Sequence, residues 1–277
     1  MGKIARTLPL LLACAFFVSH LASAESAEKK DPPGAGAVDP KARGFVKRSV
    51  TINDQPCLYQ VYIPKDYDPT KSWPVVVALH GAGEVGEEGT KQVSVGLANT
   101  IRKLGTFPAI VVFPQLRRWG KDNQIASMKL DYEIILRTLE QTQADWNTDK
   151  KRVCLTGLSA GAARMWGIAC HYPERFSCLV PISGGWNGLM ITGQEKPDEV
   201  TVAKKATETL RNMPIWMFHG GADLRAHFDL ARKIDKAFKE ANIAIKYTEY
   251  EKVGHSAWVP AYEDPKLWEW AFAQEKK

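Results

Sequence analysis

From about residue 45 onward, short unbroken apolar runs alternate with longer stretches that carry apolar residues at helical spacing. Pro74–Leu79, with its three valines, and Ala109–Phe113 are continuous apolar runs. Such runs mark strands buried on both faces. Val153–Leu155, Leu179–Ile182, Ile215–Phe218 and Ile243–Tyr250 extend the series. Upstream, Phe45–Ile52 and Cys57–Ile63 are β-like and flank a hairpin signal at Asn53-Asp54-Gln55. Helical spacing appears in Ser127–Trp146 (Leu130, Ile134, Ile135, Leu139), and helices are predicted at Ala160–His171, Leu230–Ala241 and Pro265–Gln274. Buried strands separated by helices predict an α/β fold, a mostly parallel sheet with an N-terminal antiparallel hairpin and helices on both faces. In such sheets chemistry gathers just past the carboxyl ends of the strands.

The N-terminus follows a different pattern. A short positive segment, Met1–Arg6, precedes the apolar stretch Leu8–Leu21 and the small-residue site Ala22-Ser23-Ala24. That layout predicts a secretory signal peptide over 1–24, cut after Ala24, with no stable membrane span left afterwards. A lipoprotein site at Cys14 is the weaker alternative, because the apolar run continues past it. Residues 25–43, rich in Pro, Gly, Ala and charge, are expected to be a flexible leader. Residues 44–277 are expected to form one catalytic domain. The exported chain is therefore expected to be periplasmic or secreted.

Composition changes the picture little. The 277 residues carry a net charge of +6. Without Lys3 and Arg6 of the signal segment the balance is 35 − 31 = +4. The basic residues are scattered and form no stripe with stacking aromatics, which argues against a nucleic-acid partner. No cysteine pair has metal-clamp spacing, and phosphate-binding glycine motifs are absent, so no metal or cofactor is expected. Cys170 and Cys178 are open to two readings, a disulfide in an oxidising compartment or two buried thiols.

Candidate chemistry sits at the strand ends. Gly157-Leu-Ser159-Ala-Gly161 follows Val153–Thr156 and precedes a helix. This strand–turn–helix placing of G-x-S-x-G predicts a tight elbow that exposes Ser159 as a nucleophile. His80-Gly81-Ala82-Gly83 follows another strand. There the N–H of Ala82 can join that of Ala160 to form an oxyanion hole. Asp223, in His219-Gly220-Gly221-Ala222-Asp223, is placed to orient an imidazole. His219 itself is expected to be a packing residue. His255, on the loop after Ile243–Tyr250, is the expected base, and His227 is its rival because it too lies near Asp223. The chain order Ser159, Asp223, His255 separates this arrangement from the chymotrypsin and subtilisin orders.

On these residues the chain resembles the α/β-hydrolases. It is most similar to a group of small secreted esterases and "predicted peptidases" akin to the catalytic domain of prolyl oligopeptidases and to phospholipase/carboxylesterases. The stretches that carry the resemblance are Tyr62–Tyr67, Pro74–Glu84, Val153–Gly161, Tyr172–Phe176, Pro181–Gly185, Pro214–Gly220 and Val253–Trp258. The resemblance implies Ser159 as nucleophile, Asp223 as acid, His255 as base, and Ala82 and Ala160 as oxyanion donors. Two departures stand out. Ala160 takes a place where these enzymes often have Met or Gln, and Leu224-Arg225 follows the acid where Pro-Val is usual. The expected reaction is ester hydrolysis through an acyl-enzyme, on a small-molecule or polysaccharide-linked ester. A prolyl oligopeptidase-like serine peptidase, an acyltransferase using the same triad and a non-catalytic envelope-binding protein are the alternatives. Trp119, Trp186 and Trp258 are candidates to line the substrate pocket. Trp186–Val200 is proposed as a small flap, and Arg117, Arg118 and Lys121 are read as a solvated loop, with contact to an acidic substrate as the alternative.

Overall fold

The computed structural model describes Gly2 and residues 38–119, 123–224 and 228–276, the Phe228 side chain excepted. The predicted signal peptide with Cys14, most of the leader, Lys121, Arg225 and His227 lie outside the described residues. Asp31–Lys277 form one compact unit.

In chain order the elements are β1 (Gly44–Ile52), β2 (Gln55–Ile63), β3 (Trp73–Leu79), α1 (Leu97–Leu104), β4 (Ile110–Pro114), α2 (Gln124–Asp145), β5 (Thr148–Leu158), α3 (Ala160–His171), β6 (Cys178–Ile182), α4 (Gly188–Thr192), α5 (Glu199–Thr209), β7 (Trp216–Gly220), α6 (Phe228–Glu240), β8 (Lys246–Tyr250), α7 (Trp258–Glu263) and α8 (Pro265–Phe272). The strands form one sheet in the order β1-β2-β4-β3-β5-β6-β7-β8. β1 pairs antiparallel with β2, and β2 with β4, while β4 through β8 run parallel. This is the α/β-hydrolase fold. The β1–β2 hairpin turns through Asn53 and Asp54 at φ +50° and +60°, a two-residue loop whose left-handed backbone suits Asn and Asp.

Alternation along β3 explains its apolar run. Val75, Val77 and Leu79 face a core shared with Ile134 of α2, Ile168 of α3 and Phe238 of α6. Val76 and Ala78 face a second core with Ile101 of α1, Tyr262 of α7 and Leu267 of α8. Neither face meets water, so every position is apolar.

Two expectations need correction, one open question is answered and three helices are new. Val38 packs against the first core, and the Arg43 guanidinium bonds the Tyr67 carbonyl at 2.7 Å, so residues 38–43 are anchored rather than a free leader. The segment Trp186–Val200 is not a free flap, because α4 buries Leu189, Met190 and Ile191, and Tyr132 Oη donates to the Met190 carbonyl at 2.8 Å. Cys170 and Cys178 lie in the two different cores, on opposite faces of the sheet, so no disulfide joins them. Cys178 instead stands in register with Cys154 on the neighbouring strand. The helices α1, α4 and α7 were not anticipated. They span 8, 5 and 6 residues, too short to establish a periodicity. Among the described residues no helix is long and apolar enough to cross a membrane.

Candidate active site

Ser159 stands between β5 and α3 at φ +53°, ψ −120°. A non-glycine residue there is strained, and the surrounding glycines show what holds it. A Cβ on Gly157 would lie 2.6 Å from the Gly161 carbonyl carbon. One on Gly161 would overlap the carbonyl oxygens of Leu79 and His80, and one on Gly184 the carbonyl of Ser159 itself. The Ser159 N–H donates to the Ile182 carbonyl at 2.9 Å. The elbow is thus clamped between the ends of β3 and β6 by backbone alone.

Two loops bring the other groups to it. Gly220 at the end of β7 lets the chain press against the carbonyls of Val253 and Gly254. The Ala222 N–H then bonds the Val253 carbonyl at 3.0 Å, tying the Asp223 turn to the loop that carries His255. The result is a relay. His255 Nε2 lies 2.9 Å from Ser159 Oγ, and His255 Nδ1 lies 2.7 Å from Asp223 Oδ2. Asp223 is an acceptor, so Nδ1 carries the proton and Nε2 is left to accept from the serine hydroxyl. The Asp223 side chain is 1% exposed and that of His255 14%. The carboxylate is dry, whereas the imidazole keeps an opening to solvent. Trp258 stands edge-on to His255 with ring centroids 5.4 Å apart.

The Gly81–Ala82 peptide flanks the serine. A Cβ on Gly81 would lie 3.6 Å from Ser159 Cβ. Its direction is set by buried His80, whose Nε2 accepts the Leu116 N–H at 2.9 Å. Nδ1 must then hold the proton, and it donates to the Gly81 carbonyl at 2.8 Å. The peptide is trans, so drawing that carbonyl toward His80 turns the Ala82 N–H the opposite way. Burial pushes the His80 imidazole down to about 4, which keeps it neutral and keeps this tautomer. Ala160 begins α3, where an N–H has no acceptor within the helix and the dipole favours negative charge.

Sequence reasoning left His80 without a role, because the Leu116 N–H that fixes its tautomer is 36 residues away. It also treated His219 as packing alone. That side chain is fully buried, and its Nε2 lies 3.2 Å from Asp223 Oδ2. A histidine on β7 four residues before the acid is the only signal the chain offered.

The three tryptophans separate. Trp258 is beside His255. Trp119 donates to Asp131 Oδ2 at 2.7 Å, and Arg164, one turn into the helix behind Ser159, bonds the same oxygen at 2.7 Å. Trp119 walls a cavity of about 420 Å³ with Val85, Lys91, Arg117 and Arg118. Arg117 pairs with Glu87 at 3.3 Å. Trp186 packs against Trp166 and Phe238 and borders the groove between α5 and α6. Among the described residues no cluster of His, Cys, Asp and Glu could hold a metal ion.

Comparison with known proteins fits this picture. The family model described as "Putative esterase" matches residues 49–277. Poly(3-hydroxyalkanoate) depolymerase C of Paucimonas lemoignei is 31% identical over 122 residues, 40% of this chain and 28% of the relative. "Probable feruloyl esterase C" of Aspergillus niger is 24% identical over 208 residues, 75% of this chain and 72% of the relative. The crystal structure of a thermostable esterase superposes with a TM-score of 0.67 at 27% identity, covering 83% of this chain and 63% of that one. The chain thus spans little more than a quarter of the depolymerase and under two thirds of the thermostable esterase.

Proposed function

The chain belongs to the esterase family whose model spans residues 49–277, and from that premise we propose that it is an exported serine hydrolase cleaving carboxylic esters through an acyl-enzyme. The observation that carries this reading is the continuous path from Ser159 Oγ to His255 at 2.9 Å and from His255 to Asp223 at 2.7 Å. His255 Nε2 takes the hydroxyl proton as Ser159 attacks the ester carbonyl. Asp223 holds the Nδ1–H tautomer and balances the imidazolium that forms. The N–H groups of Ala82 and Ala160 receive the oxyanion, each worth about 3 kcal/mol of barrier. His255 returns the proton to the departing alkoxide, then activates the water that releases the acid. The N-terminal pattern over 1–24 supports export. The relatives' names favour an ester of a hydroxycinnamic or hydroxyalkanoic acid.

A fluorophosphonate probe tests the reaction class. Wild type should label and Ser159→Ala should not. No label on wild type, or equal label on the variant, overturns the reading. Nitrophenyl esters and peptidyl nitroanilides at matched concentration then test the substrate class. Faster amide turnover would favour a peptidase instead.

A further inference from the structure

Asp223 Oδ2 faces two imidazoles, not one. His255 Nδ1 lies 2.7 Å from it on the side of the serine, and His219 Nε2 lies 3.2 Å from it on the side of the core. The arrangement has a local cause. Side chains alternate along β7, so Trp216 and Phe218 face the core of α7 and α8, while Met217 faces that of α6. His219 follows Met217 on the α6 side, and the turn Gly220–Asp223, closed by the Asp223 N–H on the Gly220 carbonyl at 3.1 Å, folds the carboxylate back over it. A fully buried histidine side chain at 0% exposure, next to a carboxylate at 1%, is costly to place there unless the two are bonded.

We infer that His219 is a positioning residue for the relay, acting through Asp223 by donating Nε2–H to the same carboxylate oxygen that holds His255. This rests on the hydrolase reading given above. The carboxylate only accepts, so both facing nitrogens must donate. Two consequences follow. The carboxyl plane is held from behind, which fixes where His255 can receive its bond. Part of the oxygen's charge is also drawn toward His219, so Oδ2 stabilises the imidazolium of His255 less than a singly bonded carboxylate would. Among the described residues, the charged group that faces His219 besides Asp223 is Glu249 on β8, which also accepts from Tyr247 Oη of the same strand and from Arg232 of α6. Glu249 is the register partner of His219 and is paired with Arg232 at 2.8 Å. That pairing sets its charge against Arg232 and leaves Asp223 as the carboxylate bonded to His219.

The test uses His219→Leu, which removes the donor, and His219→Gln, whose amide nitrogen reaches the place of Nε2. The readouts are the rate of fluorophosphonate labelling as a function of pH, and kcat and KM on a nitrophenyl ester. The leucine variant should label about tenfold to a hundredfold more slowly. It should lose kcat rather than gain KM, and the acid limb of its pH profile should move to higher pH. The glutamine variant should stay within about threefold of wild type with its acid limb in place. Wild-type labelling and an unmoved limb in His219→Leu would overturn the inference. So would a glutamine variant that falls as far as the leucine one, since that is the behaviour of a residue needed only for packing. Should His219→Leu not fold, His219→Asn, whose amide is too short to reach Asp223, takes its place. Ser159→Ala in parallel keeps the two claims apart. Labelling that depends on Ser159 but ignores His219 sinks only the positioning role, whereas labelling independent of Ser159 sinks the hydrolase reading.

Discussion

The elbow Gly157–Gly161 and the loop His80–Gly83 both border Ser159, yet they are held in opposite ways. At the elbow, backbone presses on backbone, and added Cβ atoms on Gly157 and Gly161 would run into carbonyl groups of neighbouring elements. At the loop, Ala82 and Gly83 are exposed, and a Cβ on Gly83 would meet nothing within 4 Å. The buried His80 side chain ties that loop down, alongside a longer bond from the Glu84 N–H to the Gly81 carbonyl at 3.4 Å. Ser159 is therefore positioned by sterics spread over three strand ends, and the peptide expected to receive negative charge chiefly by the two hydrogen bonds of His80. Steric positioning is stiff at every pH, whereas the bond that the Leu116 N–H makes to His80 Nε2 lasts only while the imidazole is neutral.

The sharpest way to break the comparison is Gly161→Ala. The new methyl would displace α3 from the end of β3, and the Leu79 carbonyl cannot rotate away without disturbing that strand. A loss of about 3 kcal/mol or more in stability is expected, with labelling of Ser159 down by about a hundredfold in whatever folds. Thermal melting and fluorophosphonate labelling read the two effects. An alanine variant that melts and labels like wild type would show the elbow to be far more pliable than its packing indicates.

The loop should fail at the His80 tether. His80→Ala leaves the Leu116 N–H without its buried acceptor and the Gly81 carbonyl with the longer bond from the Glu84 N–H, at a cost of about 3 kcal/mol. With the Ala82 N–H no longer aimed, kcat on a nitrophenyl ester should fall by about a hundredfold while KM changes little. The tether also carries a pH signature. In the unfolded chain His80 takes a proton below its ordinary value near 6.5, whereas in the folded chain it does so only below about 4. Its contribution is thus fully present above pH 6.5, declines as the pH falls to about 4 and is flat below, a change of about 3 kcal/mol. Denaturant melts across that range should show wild type and His80→Ala converging as the pH falls. A constant gap would mean that His80 takes a proton as readily in the fold as in the unfolded chain, so that Nε2 does not hold the Leu116 N–H as described.

These two regions also differ in how far the residues alone announce them. The elbow declares itself because its steric demand admits only glycine at both flanks, and a tight strand–turn–helix with a central serine has few other readings. The buried strands were legible for a similar reason, since burial on both faces excludes polar residues from the whole run. His255 was preferred to its rival His227 for its place on the loop after the last strand, and the geometry brings it to Ser159. The role of His80 was not legible, because an imidazole in a Gly-rich turn looks the same whether or not a distant N–H chooses its tautomer. His219 was passed over because alternation along β7 makes it a core position, and nothing local says that the turn after it folds a carboxylate back onto the ring. The disulfide reading of Cys170 and Cys178 failed on the same ground. Closeness in sequence says nothing about which face of the sheet each thiol occupies.

The smallest expected effect sharpens the contrast from the other side. Gly83→Ala adds a methyl in the same short loop as the tether, three residues past His80, with open space around it. Its φ is not in the left-handed region, so an alanine can adopt it without strain. Replacing glycine at such a position removes freedom from the unfolded chain and should stabilise by about 0.5 kcal/mol. Activity on small esters should stay within about twofold, because the methyl leaves His80, the Gly81 carbonyl and the Ala82 N–H as they are. A bulky ester is the discriminating substrate, since a rise in KM confined to it would place its leaving group or acyl chain over Gly83. A large loss on small esters as well would mean that the loop is tethered at Gly83 and not through His80 alone, and the division between a steric elbow and a hydrogen-bonded loop would no longer hold.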